Sequence, residues 1–272
     1  MNSFMSWVGG KKNLRDEVLA RFPPYYERYI EVFGGAGWVL FHKPPGMDFE
    51  VYNDFNSNLA NLYRCVRDKP AKLKYKLRYV LDSREDFEYL ALLHKRGILP
   101  RLYDVDRAAK FYQLIRYSYA SGLDSFGSQP HSMWSDFPMI DLAARRLQKV
   151  VVENKDFEKL IRQYDRPVSF FYCDPPYFAT ENYYKDVGFT AKDHIRLRDT
   201  LLEIKGKFLV SYNDCPEIRE IWDKPNIHIE EISRLNNLAQ RYDAGCQYGE
   251  LFISNYDTSE RAKAIKQLSL FD

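Results

Sequence analysis

Apolar positions along the chain switch between two periods. In residues 28–33, 49–52, 150–153, 169–173 and 208–212 they run together or alternate over four to six residues, which predicts buried strands. In residues 13–22, 38–41, 56–66, 141–147, 156–164 and 192–205 they recur at three and four, the spacing of a helix with one buried face. The first of these elements fall in the order strand, glycine turn, helix, strand, aspartate, the opening of a doubly wound sheet. Residues 227–234 and 249–255 are predicted to close the sheet as an edge hairpin. From 70 to 121 strand-like alternation is largely absent. Leu73, Leu77 and Leu81, then Phe111, Ile115 and Tyr119, predict a helical insertion. It ends in the loop 121–130, rich in hydrogen-bonding side chains and glycines. The expected fold class is α/β, a doubly wound mixed sheet with a mainly helical insertion. Residues 1–56 and 141–258 form the main domain in this reading, 57–140 the insertion and 259–272 a tail.

Composition narrows the class. The longest apolar runs fall well short of the ~18 residues that a membrane span requires. The first five residues lack the basic flank and apolar core of an export signal. Cys65, Cys173, Cys215 and Cys246 are scattered, and the five histidines show no ligand spacing, so a reducing compartment and no metal site are expected. The net charge is only +2, but residues 55–145 carry 15 Lys and Arg against 10 Asp and Glu. A basic middle third suits a phosphate-facing surface, and a solvated helical face would look the same. The 21 Tyr, 18 Phe and 4 Trp are a heavy aromatic load, usable in a core or for stacking on bases.

Three stretches carry candidate chemistry. The apolar run at 169–173 breaks at Asp174-Pro175-Pro176-Tyr177, because proline has no N–H to continue a central strand. A carboxylate, a rigid turn and an aromatic ring are thereby presented at a strand's C-terminal end, where open α/β sheets bind ligands. Gly34-Gly35-Ala36-Gly37 follows the first strand and lets a ligand approach the backbone. It is not the dinucleotide fingerprint, since the third glycine position falls on Leu40, and no phosphate-loop lysine follows. Asp54, ending the second strand, sits where an acid accepts hydrogen bonds from both ribose hydroxyls, and it could equally cap the next helix.

Together, Trp7-Val8-Gly9-Gly10-Lys11, Phe33-Gly34-Gly35-Ala36-Gly37, Asn53-Asp54 and Asp174-Pro175-Pro176-Tyr177 resemble, in order and spacing, the DNA adenine-N6 methyltransferases of the Dam group (D12 class). The resemblance spans almost the whole chain and extends to the Phe189-Thr190…Asp193-His194 and 209–213 stretches. It implies a Rossmann-like S-adenosylmethionine-dependent methyltransferase whose helical insertion reads DNA. Trp7, Lys11, Phe33, Gly35, Gly37 and Asp54 would contact the cofactor, with Asp174 at its methyl end. Asp156 and Phe157 resemble the acid–aromatic pair that binds its adenine, although Asp156 also fits a helix N-cap. Asp174, Pro175, Pro176 and Tyr177 would hold a flipped target base. The adenine N6 lone pair is delocalised, and hydrogen bonds to a carboxylate and a proline carbonyl would favour a pyramidal, nucleophilic nitrogen.

By position, Arg116, Tyr119, Ser121, Ser125, Ser128 and Gln129 would read DNA, with Arg116 suited to either guanine or phosphate. The loop departs from the family's wording, with Ser121-Gly122-Leu123 and a shortened stretch in its place, so a GATC target is not carried over. The last residues, Gln267, Leu268, Leu270 and Phe271, resemble a peptide that docks on a replicative sliding clamp, or else pack on the body. The resemblance implies a cytoplasmic enzyme, bacterial or phage-encoded, acting on double-stranded DNA without metal. The competing readings are cytosine-N4 transfer, which usually has Ser before Pro-Pro-Tyr, protein-amide transfer, and a catalytically silent DNA-binding protein.

Overall fold

The computed structural model describes residues 1–7, 9–127, 129–179, 188–235 and 247–261. Its strands are β1 (Arg28–Glu31), β2 (Phe49–Asn53), β3 (Val150–Glu153), β4 (Ser169–Cys173), β5 (Lys207–Asn213), β6 (His228–Leu235) and β7 (Gln247–Ser254). They make one seven-stranded mixed sheet in the order β3-β2-β1-β4-β5-β7-β6. The expected doubly wound sheet is present, with the expected hairpin at its edge. β7 runs antiparallel to both β5 and β6, whereas β1, β4 and β5 are parallel. No described helix is long and apolar enough to cross a membrane.

The chain divides into two compact units, 1–15 with 34–155 and 16–33 with 156–272. In the first, β2 pairs parallel with β3, and the helices α2 (Trp38–His42), α3 (Ser57–Asp68), α4 (Pro70–Leu77), α5 (Arg84–Lys95), α6 (Asp104–Tyr117) and α7 (Phe137–Leu147) accompany them. α6 is the centre of the helical part, contacted by α3, α4 and α5. Its buried residues Ala108, Phe111, Tyr112, Leu114 and Ile115 explain why, since a helix apolar on most of its circumference must be surrounded. Asn56 caps α3 by accepting from the amides of Asn58 and Leu59, which fixes where the chain leaves β2. Leu81, expected on the apolar helical face, is exposed beyond the end of α4.

A buried ionic cluster ties three segments of this unit together. Glu50 of β2 accepts from Lys43 Nζ at 2.9 Å and from Arg146 Nη1 and Nη2 of α7 at 2.6 and 2.7 Å. Arg146 Nη2 also donates to the Leu40 carbonyl of α2.

The second unit contains β1, β4, β5, β7 and β6 with helices α1 (Arg15–Ala20, which begins one residue before the unit), α8 (Phe157–Tyr164), α9 (Ala191–Leu202) and α10 (Pro216–Trp222). All five residues of β4 are buried, as a strand flanked on both edges and covered on both faces requires. α10 has no counterpart in the apolar pattern read from the sequence. It is short, begins at Pro216 and buries only Ile218 and Trp222.

Replacing Glu50 with alanine leaves Arg146 buried with a carbonyl as its remaining partner. Breaking one side of a buried pair costs roughly 3–5 kcal/mol. Urea denaturation of Glu50→Ala is therefore expected to show a much lower midpoint with an unchanged slope, and a midpoint within error of wild type would refute the assignment.

Candidate active site

In the first unit the glycine turn is built by backbone hydrogen bonds and crowding. Gly34 N donates to Asn53 O at 2.7 Å and Gly37 N to Gly34 O at 2.7 Å. Gly35 and Gly37 have φ of +49° and +63°, in the region that side chains disfavour. A Cβ on Gly34 would lie 2.2 Å from the Tyr52 ring, and one on Gly35 would lie 3.0 Å from the Trp7 indole. Trp7 is half-buried with its ring 5.9 Å from that of Phe111, and Lys11 is buried in the same N-terminal segment.

Asp54 closes this arrangement. Its Oδ2 accepts from Gly35 N at 2.9 Å and its Oδ1 from Asn56 N at 2.7 Å. Burial pushes its carboxyl up to about 6, while the two amides pull the other way. The structure thus brings Trp7, Gly35 and Asp54 together. The helix cap proposed for Asp54 belongs instead to Asn56, whose side chain takes the α3 amides.

In the second unit two groups form. Phe33, Phe157 and Phe189 make a triangle of rings with centroids 5.7, 5.9 and 6.0 Å apart. Asp156 caps α8 through Glu158 N at 3.1 Å and also takes a bidentate pair from Arg196, with Oδ1 to Nη1 at 2.9 Å and Oδ2 to Nη2 at 2.8 Å. Burial opposes ionisation, yet Arg196 holds this carboxyl below the usual range. The Arg196 guanidinium lies 4.0 Å over the Phe157 ring and reaches Asp193 as well. Arg196 was not legible as a site residue. Its only sequence signal is a position three residues beyond Asp193 on a predicted helix.

The second group is the Asp-Pro-Pro-Tyr turn. β4 stops at Cys173, and Asp174 and Tyr177 are each half-buried, with Pro175 and Pro176 buried between them. Ser211 Oγ of β5 donates to Asp174 Oδ1 at 3.0 Å. Because that hydroxyl has one proton, the Tyr172 hydroxyl 3.2 Å away donates to it in turn. The Tyr177 hydroxyl donates to Glu250 Oε1 of β7, a wholly buried carboxylate.

The loop after α6 is a small hairpin, with a bridge between Ser118 and Phe126, and with Tyr119 N and Gly127 N donating to Ser125 O and Tyr117 O, each at 2.7 Å. Ala120, Ser121 and Leu123 all take positive φ, of 50°, 58° and 64°. Tyr119 projects with 62% of its surface exposed, and Ser125 and Gln129 are exposed. Arg116 and Ser121, also expected at DNA, make contacts within the unit. Arg116 is held by Asp136, at 3.0 Å from both Nε and Nη2, and touches His131. Its fork is therefore engaged within the unit, with 23% of the side chain still exposed. Ser121 is buried at the turn's base. Ser128 and the peptide of Gln267, Leu268, Leu270 and Phe271 lie outside the described residues.

Among the described residues no group of three or more His, Cys, Asp or Glu could hold a metal. Residues 7–237 match the family described as D12 class N6 adenine-specific DNA methyltransferase. The chain is 29% identical to the Type II methyltransferase M1.LlaDCHI of Lactococcus lactis subsp. cremoris, covering 94% of this chain and 96% of that protein. It is 26% identical to the DNA adenine methylase of Escherichia coli K12 (85% and 88% covered) and 27% identical to that of Haemophilus influenzae (85% and 86%).

Converting Gly34 to alanine places a methyl group inside the Tyr52 ring, and Tyr52 is locked by stacking on Tyr63 at 3.8 Å and by its bond to Gly35 O. We expect Gly34→Ala to lower the melting temperature by several degrees, corresponding to about 1–3 kcal/mol of overpacking. An unchanged melting curve would show that the turn is not built this tightly.

Proposed function

The chain belongs to the D12 class N6 adenine-specific DNA methyltransferases, and from that premise we propose how its residues divide the work. The protein methylates adenine in DNA. The observation that carries the proposal is the Asp174 carboxylate, presented where β4 stops and held there by Ser211.

S-adenosylmethionine is the proposed donor, and when bound it supplies a methyl group activated by a sulfonium. The residues present suit it. Gly35 and Gly37 leave backbone open for its methionine part, with Trp7, Lys11 and Phe33 beside it in the assignment. Asp54, as the ion, has lone pairs to accept from two ribose hydroxyls beyond the amides it already binds. Asp156 and Phe157 receive its adenine, stiffened by Arg196 and flanked by Phe189.

For the target base, Asp174 and the Pro175 carbonyl accept from the two N6 hydrogens, and Tyr177 offers the stacking face. Holding both hydrogens to one side takes the nitrogen lone pair out of conjugation with the ring, which is positioning and electrostatic catalysis with no side-chain nucleophile. The target atom lies inside the duplex, so the base is flipped to reach these groups. Tyr119, Ser125 and Gln129 are the proposed hairpin contacts to DNA, and the enzyme works in the cytoplasm with its substrate.

Sequencing of modified bases in DNA from cells expressing the protein should show N6-methyladenine at one motif, lost in Asp174→Ala. N4-methylcytosine in its place, or DNA binding without modification, would overturn the assignment.

The proposed role of Asp54 gives a pH dependence. Only the ionised carboxylate accepts from two hydroxyls, and this form disappears as pH falls through about 6. Affinity for S-adenosylmethionine, measured by calorimetry, should be flat above pH 7 and about tenfold weaker one unit below that pKa. Asp54→Asn should be weak at every pH, and an unaltered dependence in that variant would remove Asp54 from the site.

A further inference from the structure

Glutamate is poorly suited to an interior strand, because a carboxylate buried there gives up its hydration. Glu250 nonetheless sits on β7 between two partners, opposite Asn213 of β5 and Ile232 of β6, with none of its surface exposed. Directly opposed residues of an antiparallel pair share a face. Ser211 is opposite Phe252, and Asn213 is opposite Glu250, so Ser211 and Glu250 project from the same face of the β5–β7 pair, two positions apart. From that one face Ser211 reaches Asp174 and Glu250 receives the Tyr177 hydroxyl. The two functional ends of the Asp-Pro-Pro-Tyr turn are thus braced by neighbouring rungs of one antiparallel ladder.

We propose that Glu250 is a positioning residue for methyl transfer, acting through the Tyr177 hydroxyl to hold that ring at the angle at which a flipped adenine stacks. The inference rests on the assignment of Tyr177 to the target base. Two prolines fix the backbone before Tyr177, but they do not fix its side chain. A ring tethered only at Cβ can still swing about its first side-chain bond. A carboxylate at the far end removes that freedom, and being acceptor-only when ionised it also fixes which way the hydroxyl points. The benefit appears in the flipped complex, where a misplaced base slows transfer without changing how the donor is bound.

The test is a double-mutant cycle on the full-length enzyme, with a duplex carrying the motif that wild type methylates. Tyr177→Phe keeps the ring and removes the tether, and Glu250→Ala removes its other end. Each is expected to lower the single-turnover methylation rate about tenfold, with the dissociation constant for S-adenosylmethionine unchanged. The double variant should be no slower than either single one, because both remove the same contact. Glu250→Gln keeps an acceptor oxygen and should recover most of the rate. A 2-aminopurine placed at the target position should show altered stacking in Tyr177→Phe and Glu250→Ala, and near-wild-type fluorescence in Glu250→Gln. Additive losses in the cycle, or a wild-type rate in Tyr177→Phe, would overturn the proposal. Should Glu250→Ala fail to fold by circular dichroism, Tyr177→Phe and Glu250→Gln still decide it, since the proposal requires a loss in the first and recovery in the second. If wild type makes no N6-methyladenine, the functional assignment falls; if it does and the cycle is additive, only the role of Glu250 falls.

Discussion

A central strand has to end where its next residue cannot donate a hydrogen bond. β4 is buried throughout and lies between β1 and β5, so its backbone groups are consumed by two ladders as far as Cys173. Pro175 and Pro176 then remove two donors in succession, and the chain must turn away from the sheet. That constraint puts the carboxylate of Asp174 at the C-terminal edge of the strand without help from any long loop. Side chains on rigid elements hold their geometry better than those on loops, and here the supporting groups Ser211 and Glu250 are on strands as well.

The carboxylates that the fold buries are accommodated in different ways. Glu50 is matched by Lys43 and Arg146, so its burial ties together parts of a scaffold. Asp54 is different, because what faces it are two amides and its carboxyl is pushed up to about 6. Asp156 is different again, since Arg196 keeps it ionised. The three carboxylates show three solutions to one cost: full ionic pairing, partial backbone solvation, and a cation that stacks on the adjoining ring. The second leaves the most unfilled capacity for a ligand, and it is the one found beside the glycine turn.

Much of this was legible in the sequence because it depends on short-range signals. Asp174, its prolines and the glycine turn announce themselves through backbone chemistry, and the strand and helix periods located nearly every element around them. What escaped depends on contacts between residues distant in sequence. Arg196 lies 40 positions from Asp156, and Glu250 lies 73 from Tyr177, so neither can be seen without the tertiary fold. The burial of Ser121 at the hairpin base and its positive φ also depend on how the loop folds and were not legible. α10 escaped because a two-turn helix with two buried residues gives too little periodicity to read.

The fate of the basic middle third shows how misleading a charge count is for DNA recognition. Lys69, Lys74 and Lys76 all lie against aspartates, at Asp104, Asp141 and Asp106. These pairs are partly exposed, and a surface pair of this kind is worth roughly 0–1 kcal/mol, so a phosphate can replace the aspartate at little cost. The pairing therefore does not remove these lysines from a DNA surface. Arg116 is another matter, because Asp136 is buried and grips its guanidinium at two points. Asp136 also meets His131 Nε2 at 2.8 Å, so the three side chains form one polar cluster at the end of α6. Arg116 thus ties the end of α6, from which the hairpin springs, to Asp136. The hairpin itself has left-handed residues at Ala120, Ser121 and Leu123, and its exposed Tyr119, Ser125 and Gln129 offer a ring, a hydroxyl and an amide. A preformed loop forfeits less entropy on binding than one that must be ordered, which favours the proposal that neutral groups on this hairpin read bases while the replaceable lysines supply attraction blind to sequence.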